Sequence, residues 1–216
     1  MTGSSAITRP SMILFNGATG GLGRFLAAAT GSGGQTAVAL SARLEDTQAL
    51  LRELGAIDPA GALTFIHLAA KVSVSECEQD PAKARLVNVT YAQSTVEQVI
   101  HWSRRAGAQL RIIYVSTGHV YAPPLTGERA TEHHPTGPRS VYAQTKLEAE
   151  ETLRDLCTAY DVPCLSARVF GVLSPGQART YILPALIDRV LTDDLDEVPG
   201  LDFTRDYLDA RDVCTN

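Results

Sequence analysis

Three glycines, Gly17, Gly20 and Gly23, stand at intervals of three directly after a short apolar run, Ser11–Phe15 (SMILF). They open a stretch, residues 20–30, in which apolar side chains recur at helical spacing. A strand that turns into a helix through such a loop constrains the fold more than any other feature of this chain. The first glycine permits the tight turn, the second lets a ligand approach the backbone, and the third lets helix pack on strand. The helix N-terminus then presents N–H groups and partial positive charge suited to phosphate. Gly17, Thr19, Gly20, Gly21, Leu22, Gly23 and Arg24 therefore form a candidate cradle for a dinucleotide pyrophosphate.

The same strand-then-helix rhythm continues along the chain. Residues 36–41 (TAVALS) read as a second strand, and residues 46–54 as a short helix stopped by Gly55. Residues 63–69 (LTFIHLA) form another apolar run. Asp80 and Pro81 then open a helical pattern that runs to Ala106, with aspartate as cap and proline in the first turn. A strand over residues 110–116, a Pro/Gly-rich loop over 118–138, a helix over 140–160 and a strand Cys164–Val169 follow. Alternation of this kind implies right-handed crossovers and a doubly wound parallel sheet of Rossmann type, with helices on both faces. Past Gly171 the rhythm changes to a loop (173–180), a helix (181–192) and a strand (203–208). The expected organisation is a loose tail over residues 1–10, a dinucleotide-binding domain over 11–172, and a short, incomplete substrate lobe over 173–216.

Charge narrows the partners. The formal net charge of -5 and the lack of a basic stripe speak against nucleic acid. An anionic ligand must then be held by local amides and single arginines. The four cysteines, Cys77, Cys157, Cys164 and Cys214, make no C-x-x-C pair, so reduced thiols are expected and neither a disulfide framework nor a metal site. No apolar run reaches membrane-spanning length, and the first ten residues lack the apolar stretch of a signal peptide. A cytoplasmic location is the expectation.

Two further clusters carry chemistry. Tyr142 and Lys146 lie four apart at the start of a helix, hence on one face. An ammonium beside a tyrosine stabilises its phenolate and draws its pKa toward neutrality, so Tyr142 is a candidate acid–base. The strand over residues 110–116 ends in Ser116 and Thr117, at the edge where parallel sheets bind ligands. A hydroxyl there can hydrogen-bond a substrate oxygen while Tyr142 moves the proton. The end of the second strand reads Ser41-Ala42-Arg43, with no carboxylate before Glu45. A hydroxyl beside a guanidinium suits a ribose 2′-phosphate, which favours NADP, with NAD as the alternative.

With these residues in place, the sequence resembles the extended short-chain dehydrogenase/reductases of the NAD-dependent epimerase/dehydratase family, which act on nucleotide sugars. The matching motifs are GATGGLG at 17–23, HLAA at 67–70, Asn88, VSTGHVYA at 115–122, SVYAQTK at 140–146, ARVFG at 167–171 and TRDYLDARDV at 204–213. The resemblance implies that Thr117 polarises a sugar keto oxygen, that Tyr142 is the acid–base, and that Lys146 binds the nicotinamide ribose. It implies dinucleotide contacts from Leu68, Ala69, Ala70, Lys71, Asn88, Val115 and Phe170. Ser73, His119 and Arg205 become substrate contacts, Arg205 at the nucleotide-sugar diphosphate. His67 is expected to pack at its strand end, and His133 and His134 to be solvated.

Departures from the family pattern narrow the reaction. Its 4,6-dehydratases carry Asp-Glu directly after the active-site threonine, where this chain has Gly118-His119. Related decarboxylases carry glutamate where His119 stands. Gly171 replaces the family's usual asparagine, and the segment after the R-D-Y strand is short. The resemblance therefore implies an NADPH-dependent reductase of a nucleotide-linked 4-keto-6-deoxy sugar, dTDP-linked, working as a homodimer through residues 81–106 and 140–160. The alternatives are an NAD(P)-dependent 4-epimerase and a non-catalytic dinucleotide-binding regulator or accessory subunit.

Overall fold

The apolar runs pair as parallel neighbours because each has little polar surface to show on either face. In the computed structural model, which describes residues 11–29, 36–59, 61–124, 128–177, 179, 181–194 and 206–215, they build one five-stranded sheet. Its strands are β1 (Ser11–Phe15), β2 (Thr36–Ala39), β3 (Ala62–His67), β4 (Gln109–Thr117) and β5 (Cys164–Val169), in the order β2-β1-β3-β4-β5. Leu14 faces Val38 on one side and Phe65 on the other, Phe65 faces Ile112, and Ile113 faces Leu165. The winding reverses between β1 and β3, which opens a crevice beyond the carboxyl ends of those strands. The doubly wound architecture expected from the sequence is the one observed.

Helices α1 (Gly21–Ala29), α2 (Thr47–Gly55), α3 (Val74–Gln79), α4 (Pro81–Arg85), α5 (Ala92–Arg105) and α6 (Val141–Ala159) complete this part. Leu14, Phe65, Ile112 and Tyr114 from the sheet meet Val96, Val99 and Ile100 of α5 and Leu153 of α6 in one fully buried cluster. Burial stabilises by roughly 1.5–3 kcal/mol for each large apolar side chain. Side-chain caps fix where three helices start. Asp46 accepts from Ala49 N at 2.8 Å, Asp80 from Lys83 N at 2.9 Å, and Ser140 from Ala143 N at 3.2 Å.

The helix expected from Asp80 to Ala106 is not continuous. A widened turn, Leu86–Tyr91, separates α4 from α5. It brings Asn88 inward, where Oδ1 accepts from Lys71 N at 2.7 Å and Nδ2 donates to Lys71 O at 3.1 Å and Thr145 Oγ1 at 3.0 Å. Those bonds compensate for the poorer geometry of the turn. Within this stretch Val89 and Val96 are buried inside the chain while Leu86 is 37% exposed. The apolar stripe read as a dimer face is thus largely used within the fold.

Past Gly171 a second, two-stranded parallel sheet forms from β6 (Gly171–Leu173) and β7 (Tyr207–Asp209), with α7 (Ile182–Leu191) between them in sequence. β7 overlaps only the end of the strand expected over 203–208; residues 201–205, Arg205 among them, lie outside the described residues. A Cβ at position 171 would stand 2.7 Å from Asp206 O, so the close approach of the two strands requires a glycine there. The last element, α8 (Ala210–Thr215), packs on α1. Among the described residues no helix is long and apolar enough to cross a membrane.

Candidate active site

β1 runs into Asn16, a buried side chain that ties two strand ends together. Its Oδ1 accepts from Leu68 N at 2.9 Å and Ala69 N at 3.0 Å, and its Nδ2 lies 2.9 Å from His67 Nδ1. Gly17 follows with φ +73°, where a Cβ would sit 2.9 Å from Ala69 N. At Gly23 a Cβ would fall 2.2 Å from Gly17 O. The first and third glycines are therefore required by the chain's own packing, and the first-turn amides of α1 lack intrahelical acceptors. A pyrophosphate fits such a cradle.

From the cradle a cleft of about 980 Å³ extends over the carboxyl edge of the sheet to Lys146. Its walls include Gly17, Thr19, Gly20, Gly21, Leu22, Gly23, Arg24, Arg43, Leu68, Ala69, Ala70, Val115, Thr117, His119, Tyr142, Lys146 and Phe170. Four expected contacts are engaged elsewhere. Ser41 gives its amide and hydroxyl to the Glu53 carboxylate, with an N–O distance of 2.9 Å. Lys71 pairs with Glu76, Ser73 caps α3, and Asn88 holds the loop after β3. Arg43 is highly exposed, with Glu45 at 4.0 Å.

At the catalytic end β4 delivers Thr117 and α6 delivers Tyr142. Thr117 Oγ1 accepts from His119 N at 3.3 Å, and its hydroxyl favours the Tyr142 phenolate. Lys146 is 2% exposed; its Nζ donates to Val115 O at 2.7 Å and lies 4.1 Å from the centre of the Tyr114 ring. Burial lowers its pKa to about 7, and Glu150 pulls it back upward. The sequence led us to expect Lys146 to draw Tyr142 down. Instead burial raises the Tyr142 pKa, with the Thr117 hydrogen bond acting in the opposite sense. The ammonium is directed at the Val115 carbonyl, and Tyr142 stays protonated at neutral pH.

Several residues around this set carried no weight in the sequence reading. Glu150 is buried one helical turn past Lys146, accepts from Ser116 Oγ, and takes Arg168 Nη2 at 2.7 Å. The i, i+4 spacing from Lys146 was the available signal. Arg168 lies 4.7 Å from the Tyr121 ring, which stacks on Phe170 with centroids 6.1 Å apart. A Cβ at Gly118 would stand 2.7 Å from the Phe170 ring, so a side chain at this position requires that ring to move. The His119 ring meets Tyr142 edge-on at 6.2 Å. His134 is not simply solvated: its Nε2 is 3.1 Å from Ala122 O, and its ring packs on Tyr121. His67 is fully buried, stacks on Tyr114 at 5.8 Å, and burial lowers its pKa to about 3.

A cleft of this kind at the switch point of a doubly wound sheet is that of a dinucleotide-binding α/β protein of the short-chain dehydrogenase/reductase type. More narrowly, the NAD dependent epimerase/dehydratase family matches residues 13–215, and the chain belongs to it, as its motifs imply. Over 173 residues it is 28% identical to the GDP-6-deoxy-D-mannose reductase of Pseudomonas aeruginosa, covering 74% of this chain and 54% of the relative. Over 185 residues it is 30% identical to the dTDP-4-dehydrorhamnose reductase of Streptomyces griseus, covering 84% and 58%. The chain thus spans little more than half the length of these two relatives. Among solved structures, RMD from Pseudomonas aeruginosa complexed with NADPH superposes with a TM-score of 0.79 at 25% identity, covering 94% of this chain and 69% of that one. The UDP-glucose 4-epimerase of Thermus thermophilus in complex with NAD shares the fold, with a TM-score of 0.78 at 23% identity and coverage of 94% and 72%.

Proposed function

We propose that this chain carries the dinucleotide site and acid–base set of an NADPH-dependent reductase that acts on the keto group of a nucleotide-linked 4-keto-6-deoxy sugar, dTDP-linked by preference. The observation that carries the reading is that Thr117, Tyr142 and Lys146 line the same cleft as the glycine cradle. The relatives named as reductases, one of them solved with NADPH, support it.

A reduced nicotinamide, when bound, supplies the hydride. The chain's own residues do the rest. Backbone amides of residues 17–23 and Arg24 hold the pyrophosphate, and Arg43 meets a 2′-phosphate. Thr117 orients the carbonyl oxygen. As the carbonyl carbon gains its new C–H bond, the π pair moves to oxygen, and that oxygen takes the Tyr142 proton. A tyrosine kept protonated at neutral pH is the form this direction needs. Lys146 holds the ribose, and the Thr117 hydroxyl favours the phenolate left behind, which regains its proton from solvent. Val115 and Phe170 cover the reacting face against water.

One observation favours a second reading, an NAD(P)-dependent 4-epimerase. The Ser41 donors already serve a carboxylate, Glu53, an arrangement that repels a 2′-phosphate. A homodimer belongs to the proposal without support from the stripe that Val89 and Val96 bury, and light scattering reads it directly.

Fluorescence titration of the 216-residue chain with NADPH and NADH decides between the readings. The reductase requires tighter NADPH binding that Arg43→Ala weakens selectively; equal or tighter NADH binding puts the epimerase first. Tyr142→Phe is expected to lower turnover of a 4-keto sugar nucleotide by about 10²–10⁴-fold while dinucleotide affinity stays within about twofold.

A further inference from the structure

Lys146 is one of three lysines in the chain, with Lys71 and Lys83, and it is the one placed inside the fold. One turn further along α6, on the same face, Glu150 is also 2% exposed. Both of its oxygens are engaged. Arg168 Nε lies 3.1 Å from each, Arg168 Nη2 is 2.7 Å from Oε2, and Oε1 also accepts from Ser116 Oγ. Ser116 sits between Val115, whose carbonyl receives the Lys146 ammonium, and Thr117, whose hydroxyl serves Tyr142. Burying an ion pair costs about as much as its attraction returns, so stability alone does not account for this one.

We propose that Glu150 is the positioning residue of the acid–base set: it anchors Ser116 between the two residues that seat Lys146 and Tyr142, and it supplies the negative charge that Lys146 faces across one turn of α6. This rests on the reading above for what Lys146 and Tyr142 do, but not for the electrostatics. Other groups also pack around the pair. Tyr114 of β4 lies under the ammonium, and behind it His67 of β3 is held neutral by burial. Arg168 of β5 is spent on Glu150. Cys77, whose thiol burial pushes up, and Tyr181 face Tyr142 together with His119. Glu150 therefore favours the cationic form of a lysine that burial would otherwise neutralise.

Two substitutions shift the local charge in opposite directions. Glu150→Gln removes the anion and leaves Arg168 unmatched; Arg168→Met leaves the anion unmatched. With three lysines, side-chain carbon NMR of isotope-labelled protein follows each ε-carbon through a pH titration, and a Lys146→Met spectrum assigns the signal. The wild-type Lys146 midpoint is expected at about 7. Glu150→Gln should lower it by about one pH unit or more, and Arg168→Met should raise it. In turnover, the alkaline limb of the pH profile should move with the midpoint. Should Glu150→Gln fail to fold, the neutral pair Glu150→Gln/Arg168→Gln carries the test, again with a lowered midpoint. An unchanged midpoint, or the same direction of shift in both single variants, overturns the proposal, since a merely structural pair gives that result. The titration needs neither dinucleotide nor sugar. Shifted midpoints without NADPH binding would sink the reductase reading alone, and NADPH binding with fixed midpoints would sink this one alone.

Discussion

The cleft has two differently built borders. Along the β4–α6 border, Ser116, Thr117, Lys146 and Glu150 are all buried, and each is held by a neighbour that is itself fixed in the sheet or helix. Along the α7 border no side chain of the helix is buried, and Ile187, Val190 and Leu191 are 56%, 67% and 78% exposed. The two borders face the same space, yet substitutions must register very differently in them. Geometry that chemistry depends on is carried by the border where apolar burial and hydrogen bonds agree. The other border surrounds the cleft without sharing in the core.

That contrast can be broken or sharpened by measurement. Phe65→Ala, in the middle of the sheet, is expected to cost about 3–5 kcal/mol in chemical denaturation, because the ring is fully enclosed. A loss below about 1 kcal/mol would show that the sheet half is not the rigid partner in the comparison. A pH-dependent effect, smaller per pH unit, comes from His67. Its folded pKa of about 3 lies below the ordinary 6.5, so the unfolded chain binds a proton that the folded one refuses. Stability should then fall with acidification between those values, with a slope contribution of about 1.4 kcal/mol per pH unit that His67→Gln abolishes. Retention of the full slope in that variant would place the acid sensitivity elsewhere. Smallest of all, Ile187→Ser on α7 should change stability by no more than about 0.5 kcal/mol. A cost several times larger would mean that α7 buries this face in solution and that the two borders are alike after all.

Legibility from sequence followed the range of the forces involved. β5 was read with its observed bounds, because Leu165, Ala167 and Val169 alternate with Ser166 and Arg168 between loop residues on each side. α6 was placed within a residue at each end because Ser140 is a local cap. α3 went unread, since six residues with two apolar positions show no period. The widened turn at Leu86–Tyr91 went unread for a different reason: the bonds that reward it join Asn88 to Lys71 and Thr145, 17 and 57 positions away. At the site, residue identity was visible and direction was not. Tyr142 and Lys146 share a face as the spacing implied, but only the folded chain shows the ammonium turned toward Val115. Ser41 was correctly seen as a hydroxyl at the end of β2; that a carboxylate twelve residues on would claim it was not written in any local pattern.

The contact between position 118 and the Phe170 ring bears on which activities lie within mutational reach of this scaffold. A Cβ introduced at position 118 meets the ring at 2.7 Å, so any side chain there requires the partly exposed Phe170 ring to move. Shrinking Phe170 strips the cleft of a wall residue and removes the stacking partner of Tyr121. Residues 118 and 170 are thus coupled by geometry: what position 118 can carry depends on where the side chain at 170 stands.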